Sequence, residues 1–293
     1  MICGRRVTSE PKGVLVPCCK LMANSLVVLF HKALTFRAVK RCRGKYHQAY
    51  HFVRAAQRAD KRVLAIDMDP QGNLTTALTP ERLPLDEVSL ADVINPQQAP
   101  GEDPVTLADV IVATIWLGVD LAPTVGRALA IIEQELTQAP RTEDRARTLQ
   151  RALEGVGERY DLVIIDCPPN LGMLTVNALV AAHGAVLVTE AGLFAADGVA
   201  LMRDTIGSVQ QHYNPDLTIR GVLLNKWEPT TLAGREWRLT LQEALGEQLL
   251  DPPIPKRAVI RDAIETGDAL DRIKGGQSMA ELYTRHLAKI TSR

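Results

Sequence analysis

Two aspartates, Asp67 and Asp69, stand two residues apart in the stretch KRVLAIDMDPQGNL, Lys61 to Leu74. They follow directly on Val63 to Ile66, four apolar residues bounded by turn-formers, the pattern of a strand buried on both faces of a parallel sheet. In open α/β sheets the loop leaving the carboxyl end of such a strand is where ligands sit. Carboxylates placed there, with Pro70 and Gly72 shaping the backbone, can orient a metal ion or a water molecule. The same residues also suit an acidic turn with an Asx cap.

A third carboxylate has a similar setting. In YDLVIIDCPPNLGMLTVNAL, Tyr160 to Leu179, the apolar run Leu162 to Ile165 is closed by Asp166 and then Cys167, Pro168 and Pro169. A carboxylate at the tip of a buried strand, before a proline pair that forbids helix, suits the holding of Mg²⁺ directly or through water. A strand that merely needs a cap for the next helix more often ends in Ser, Thr or Asn.

The elements that must position these groups follow from periodicity. Helices are predicted at Ala49 to Ala59, around Leu90 to Ile94, from Val125 through Val156 with a break near Pro140, at Met173 to Ala182, Ala196 to Tyr213, Leu232 to Leu245 and Met279 to Ile290. Strands are predicted at Val63 to Ile66, Val119 to Pro123, Leu162 to Ile165, Ala185 to Thr189, Ile219 to Leu224 and Leu249 to Leu250, while Val105 to Ile115 reads as helix or strand. Strands alternating with helices imply an α/β fold: one domain, with a mostly parallel twisted sheet covered by helices on both faces.

Composition sets the outer bounds. The 293 residues are 46% hydrophobic but only 4% aromatic, so Ala, Leu, Val and Ile must fill the core. Net charge is zero, yet residues 1–50 hold ten Lys/Arg against the single acid Glu10, which leaves the remainder at −9. Four of the five cysteines, Cys3, Cys18, Cys19 and Cys42, lie in that basic segment without zinc spacing or a disulfide framework. Residues 1–23 are therefore expected to be an atypical leader and 24–293 the domain. Cys167 reads as a reduced core thiol, which favours a cytoplasmic setting. No run reaches the ~18 apolar residues of a membrane span, since Val14 to Phe30 is broken by Pro17, Lys20 and Asn24.

Taken together, IDMDPQGN, YDLVIIDCPPNLGMLTVNAL, GVLLNK (Gly221 to Lys226) and IPKR (Ile254 to Arg257) closely resemble the ParA/MinD-type P-loop ATPases, nearest the branch that partitions chromosomes and plasmids. The likeness runs from about Lys40 to the C-terminus. It implies ATP and Mg²⁺ as cofactors and an ATP-dependent sandwich homodimer that binds DNA nonspecifically. It further implies a ParB-like partner that switches the dimer, and a cytoplasmic, nucleoid-associated location. The tail from Met279 to Arg293 lacks the bulky basic amphipathic pattern of a membrane anchor, which argues against a MinD-like membrane role.

The resemblance also assigns residues. Family members carry KGGVGKTT before the DPQGN stretch, a loop whose backbone N–H groups and glycines cradle phosphates. This chain has Lys40-Arg41-Cys42-Arg43-Gly44-Lys45-Tyr46-His47 there. Lys40, Gly44 and Lys45 match. Arg41, Cys42 and Arg43 replace Gly-Gly-Val, and Tyr46 and His47 replace two threonines, the first of which ligates Mg²⁺ in the family. By carry-over Lys45 neutralises the β/γ-phosphates, Lys40 acts across the dimer, Asp69 positions the attacking water, and Asp166 with Asp67 serves the metal. Asn225 and Pro255 match positions around the adenine, and Glu190 with the residues after it matches a loop that meets the dimer partner.

The altered loop has two explanations. Codons for Gly-Gly-Val-Gly read out of phase give Arg-Cys-Arg, and codons for two threonines give Tyr-His, so residues from about 30 to 48 read as partly frameshifted. Gly44 and Lys45, back in phase, require more than one insertion or deletion. The rival is a genuinely degenerate pseudo-ATPase that acts as a DNA- or partner-binding protein. An ATP-dependent amide-forming ligase on the same scaffold is a third reading. Arg203, Arg220 and Arg235 stand for DNA phosphate contacts, although acids are interspersed among these basic residues.

Overall fold

The computed structural model of the chain describes residues 25–30, 33–36, 47–95, 103–138, 143–168, 170–192 and 195–292. The strands are β1 (Ser25–Phe30), β2 (Ala33–Phe36), β3 (Val63–Asp67), β4 (Val112–Ala113), β5 (Val119–Ala122), β6 (Leu162–Asp166), β7 (Gly184–Glu190), β8 (Thr218–Asn225) and β9 (Leu249–Leu250). They form one sheet in the order β4-β5-β3-β6-β2-β1-β7-β8-β9. All run the same way except β4, antiparallel to β5, and β1, antiparallel to β2, β6 and β7.

The helices are α1 (His47–Arg58), α2 (Asn73–Leu78), α3 (Leu90–Val93), α4 (Leu107–Val110), α5 (Ala128–Gln138), α6 (Thr148–Ala152), α7 (Met173–Ala181), α8 (Ala195–His212), α9 (Leu232–Leu245), α10 (Ala258–Glu265) and α11 (Gln277–Thr291). Because successive strand side chains point to opposite faces, an uninterrupted apolar run feeds two cores at once. Val63 and Ala65 join Ile164, Val186, Val188 and Leu223 under α1, α2, α10 and α11. Leu64 and Ile66 join Val163 and Ile165 under α3 to α7, and Ala185, Leu187, Val222 and Leu224 lie under α7, α8 and α9. The doubly covered α/β sheet expected from the sequence is therefore present. Fully buried Phe52 and Tyr283 meet edge to face at 5.3 Å between α1 and α11.

Several boundaries differ from expectation. The predicted helix from Val125 begins at Ala128, because Gly126 sits at φ 58, a left-handed turn outside helical geometry. It ends at Gln138, where the Arg145 guanidinium donates to the carbonyls of Leu136 and Thr137 and caps the terminus. A short 3₁₀ turn, Glu143–Ala146, and α6 replace the rest of the predicted helix. Val105 to Ile115 supplies both a helix, α4, and a strand, β4. Helices α2 and α10 and the antiparallel strand β1 were not expected. Residues 1–23, read as a leader, lie outside the described residues. Among the described residues no helix is long and apolar enough to cross a membrane.

Helix α11 is held in part by His286, fully buried, whose Nε2–H donates to the carbonyl of Pro252 at 2.8 Å. Burial disfavours the imidazolium and pushes the pKa down to about 4. The folded state thus binds this proton less readily than the unfolded chain, at an ordinary value of 6.5. His286 contributes fully above pH ~6.5, and its contribution is lost as pH falls towards ~4, up to about 3 kcal/mol. Urea unfolding from pH 7.5 to 4.5 should show a steeper acid loss for the parent than for His286→Gln. Parallel curves would remove His286 from the acid transition.

Candidate functional site

The carboxyl edge of the sheet gathers the sequence's acidic residues. Asp67 ends β3 and Asp166 ends β6, paired directly across the parallel ladder, and Phe36 at the end of β2 is level with Asp166 on its other side. Three neighbouring strand tips therefore open on one edge. The chain leaves β2 there and re-enters the described structure at α1. Lys40, Arg41, Cys42, Arg43, Gly44, Lys45 and Tyr46 lie outside the described residues; His47 is the first residue of α1.

Asp67 is fully buried, and donors meet both of its carboxylate oxygens. Oδ2 accepts from the backbone N–H of Thr75 at 2.7 Å and from Thr75 Oγ1 at 2.8 Å, while Oδ1 accepts from the Asp69 N–H at 3.2 Å. Thr75 Oγ1 in turn accepts from the Thr124 N–H at 2.9 Å, and Thr124 Oγ1 donates to the Asp67 carbonyl. Burial first, and the nearby Asp69 charge second, push Asp67 up to about 7 against the pull of these hydrogen bonds. A carboxylate in that position is one whose ionised form gains from a nearby cation.

Asp69 is half-buried at the head of a turn: its Oδ1 accepts from the Gln71 N–H, and its carbonyl accepts from the Gly72 N–H at 2.8 Å. The Asx-turn reading of DMDPQG is therefore realised, and the turn leaves the Asp69 carboxylate at the edge. Gly72 has no substitute here. Its φ is 62, and a Cβ would lie 3.0 Å from the Thr124 carbonyl oxygen. Past the Asp166 strand tip, Asn170 Oδ1 accepts from the Gly172 N–H and Thr175 Oγ1 donates to the Asn170 carbonyl, fixing the start of α7. Asp67 and Asp166 are hard oxygen donors of the kind Mg²⁺ takes, one or two at a time beside phosphate oxygens. Among the described residues no cluster of three or more His, Cys, Asp or Glu forms a self-sufficient metal cage. Cys167 is buried behind Asp166.

On the other side of α1 a cleft of about 690 Å³ is lined by Glu190, Asn225, Trp227, Pro255, Arg257 and Ile260 among others. The structure thus brings together Asn225, Pro255 and Glu190, which the sequence had suggested separately. Trp227 N–H donates to the Ile254 carbonyl and Lys256 N–H to the Trp227 carbonyl, so the two walls are stitched as a short parallel bridge. Ion pairs Lys226–Glu190 at 2.8 Å and Lys256–Glu228 at 2.6 Å lie on the rim. Of the arginines suggested for DNA, Arg203 on α8 donates to the Gln248 side chain, Arg220 is half-buried in β8, and Arg235 is exposed in the first turn of α9.

Sequence reasoning missed Gln48, Thr75, Thr124 and Trp227. Thr75 and Thr124 are 49 residues apart and meet through backbone as well as side chain, which leaves no local signal. Trp227 did carry one, an aromatic residue two positions beyond a strand end at a suspected ligand edge.

Comparison with known proteins agrees with this architecture. The AAA domain family matches residues 32–219. Sporulation initiation inhibitor protein Soj of Bacillus subtilis is 33% identical over 232 residues, 76% of this chain and 83% of that protein. An uncharacterised protein of Mycobacterium tuberculosis is 33% identical over 210 residues, and the chain spans 63% of that protein's length. Cobyrinic acid a,c-diamide synthase from Mycobacterium smegmatis, solved with an ATP analogue and magnesium and again with ADP and magnesium, superposes with TM-scores of 0.64 and 0.65. It is 31% identical, over 83% of this chain and 86% of that one. The chain belongs to the ParA/MinD-type family of P-loop ATPases.

The Asp67 network generates a test. Thr75→Val removes a donor to Asp67 Oδ2 and the acceptor of the Thr124 N–H, leaving buried polar groups unsatisfied, and should cost about 1–3 kcal/mol. Thr75→Ser should recover most of it. Chemical denaturation of the three proteins decides; a Val variant as stable as the parent would show that the network carries no stability.

Proposed function

We propose that the chain is a partition ATPase of the ParA branch, which binds ATP with Mg²⁺ and closes into a dimer. The dimer binds DNA without sequence preference until a ParB-like partner triggers hydrolysis. The observation that carries this reading is the alignment of the β2, β6 and β3 tips with the Asp69 turn on one flank and the Asn225–Pro255 cleft on the other. Likeness to Soj, and to a synthase solved with adenine nucleotides and magnesium, supports it.

In this reading Asn225 and Pro255 receive the base, and residues 40–47 receive the phosphates. Lys45 supplies positive charge to the β/γ-phosphates and Lys40 reaches the partner's nucleotide. Asp166, with Asp67 beside it, would hold Mg²⁺, which neutralises phosphate charge. Asp69 orients the attacking water at the carboxyl edge and holds its proton. Exposed Arg235, with Arg203 and Arg220 as weaker candidates, would meet DNA phosphates in a cytoplasmic, nucleoid-bound state.

The loop as written works against turnover. Side chains at Arg41 and Cys42 would crowd the phosphates, and Tyr46 cannot serve as the short hydroxyl ligand of Mg²⁺. Partial frameshift over residues 30–48 accounts for this, and a pseudo-ATPase that retains the DNA or partner surface is the alternative. The likeness to an amide-forming synthase favours one further reading, a small-molecule enzyme, which lacks a reason for DNA binding.

Two measurements separate these readings. Isothermal titration of the chain as written should give no MgATP binding in the micromolar range; a micromolar constant would mean the loop tolerates its side chains. Combining Arg41→Gly, Cys42→Gly, Arg43→Val, Tyr46→Thr and His47→Thr should restore ATP binding and ATP-dependent dimerisation. The restored protein should then shift unrelated DNA duplexes with ATP, more weakly at higher salt because phosphate contacts release counterions. DNA binding indifferent to ATP and salt would favour the small-molecule enzyme.

In that restored background, Asp69→Ala should abolish hydrolysis while nucleotide binding stays within about threefold, as expected for a group that acts on the transition state. Turnover equal to the parent would take Asp69 out of the chemistry.

A further inference from the structure

Among the described residues, Trp227 is the only aromatic one on the wall of the 690 Å³ cleft. Its polar groups are already engaged. The backbone N–H donates to the Ile254 carbonyl at 2.9 Å, the carbonyl accepts from the Lys256 N–H at 3.0 Å, and the indole Nε1–H donates to the Gly234 carbonyl at 3.0 Å. The Arg238 guanidinium lies over the ring, 5.0 Å from its centroid, and is itself held by Asp251 at 2.5 Å. An indole whose N–H is spent can offer a ligand only carbon and π surface. Pro229, Pro255 and Ile260 add further apolar lining.

We infer that Trp227 gives this cleft a preference for a purine: its ring is a fixed apolar wall against which a two-ringed base gains more contact than a pyrimidine. This rests on the cleft being the base site. The physical reason is area. Contact between a base and an aromatic ring is tolerant of the donors and acceptors on the base edge, because every base has a π face. Adenine and cytosine make the comparison clean. Each carries an exocyclic amino donor beside a ring-nitrogen acceptor, so a hydrogen-bonding edge of that pattern treats them alike. They differ by a ring. A preformed wall also loses little freedom on binding, since Trp227 is held by its backbone, its indole N–H and Arg238 before a ligand arrives. The rim charges pair with one another, Lys226 with Glu190 and Lys256 with Glu228, so they do not oppose a neutral base.

Nucleosides test this, since they need no phosphate loop. Adenosine and cytidine are titrated against the full chain by ligand-observed NMR, with Trp227→Leu, Trp227→Phe and Ala258→Trp checked for folding by circular dichroism. The parent should favour adenosine by more than about fivefold, the low end of what stacking a base on an aromatic ring is worth. Trp227→Leu should lose that preference, chiefly by binding adenosine more weakly. A merely structural Trp227 would lower the melting temperature on substitution but leave the ratio of the two affinities where it was. Adenosine should also quench tryptophan emission in the parent. That quench should be absent in Trp227→Phe, which keeps an aromatic ring and should still bind. Ala258 lines the cleft, and an indole at that position would fill it, so Ala258→Trp should stop adenosine binding. Adenosine binding by Ala258→Trp as tight as by the parent, or no nucleoside binding by the parent at millimolar concentration, would overturn the cleft reading and the inference with it. With Ala258→Trp blocked, the cleft reading stands, and three results would overturn the inference alone: no preference in the parent, a preference that survives Trp227→Leu, or binding without a quench that depends on Trp227. Should Trp227→Leu fail to fold, Trp227→Met replaces it with the same expected outcomes.

Discussion

A buried carboxylate organises this edge of the molecule. Asp67 could not remain at the end of β3, fully enclosed, without donors to meet its oxygens. The chain supplies them from Thr75 and Asp69, and that requirement shapes everything nearby. To bring the Thr75 N–H back to Asp67, the backbone must turn sharply and start a helix within eight residues. The turn is Asp69 to Gly72, and the helix is α2. Thr124, just past the end of β5, then closes the circuit by bonding both Thr75 and the Asp67 carbonyl. The position of Asp69 at the edge is thus a by-product of satisfying Asp67.

The second constraint is the attachment of α1. Its polar side chains reach almost entirely into the C-terminal third of the chain. Gln48 bonds Asn225, the Tyr50 hydroxyl donates to the Asp268 carbonyl at 3.0 Å, His51 bonds the Ile260 carbonyl, and Arg54 forks onto Asp271 at 3.0 and 2.6 Å. The Arg54–Asp271 pair is mostly shielded, and the guanidinium holds the Asp271 carboxyl below its usual range. Paired, partly buried and forked, it specifies one helix position more firmly than a surface ion pair could. The wall of the cleft is therefore tied to α1 through Asn225 and the Ile260 carbonyl.

Much of this could be read from residue order. The runs Val63 to Ile66 and Leu162 to Ile165 announced buried parallel strands because they have no polar face, and the aspartates following them marked the carboxyl edge of the sheet. The pairing of Asp67 with Asp166 across adjacent strands is a matter of strand order, which local sequence does not encode. Helix α2 escaped because its start is set by a capping carboxylate, Asp67, well upstream of Asn73 and outside any local cap pattern. Helix α10 is eight residues between Pro255 and Gly267, short enough for its apolar spacing to pass as loop. The threonines of the Asp67 network look in sequence like any surface threonine.

These attachments also decide how far the unusual residues at 41–43 and 46–47 matter to the fold. The described anchors of α1 begin at Gln48 and continue on one face through Tyr50, His51 and Arg54, and the neighbouring strand β2 is held by backbone pairing to β6. Backbone pairing is indifferent to side-chain identity beyond proline. Among the described residues, both sets of contacts are made by positions other than 41–43 and 46–47. The described contacts that place Asp67, Asp69, Asp166 and Asn225 come from Thr75, Thr124, Gln48 and the pairing of neighbouring strands.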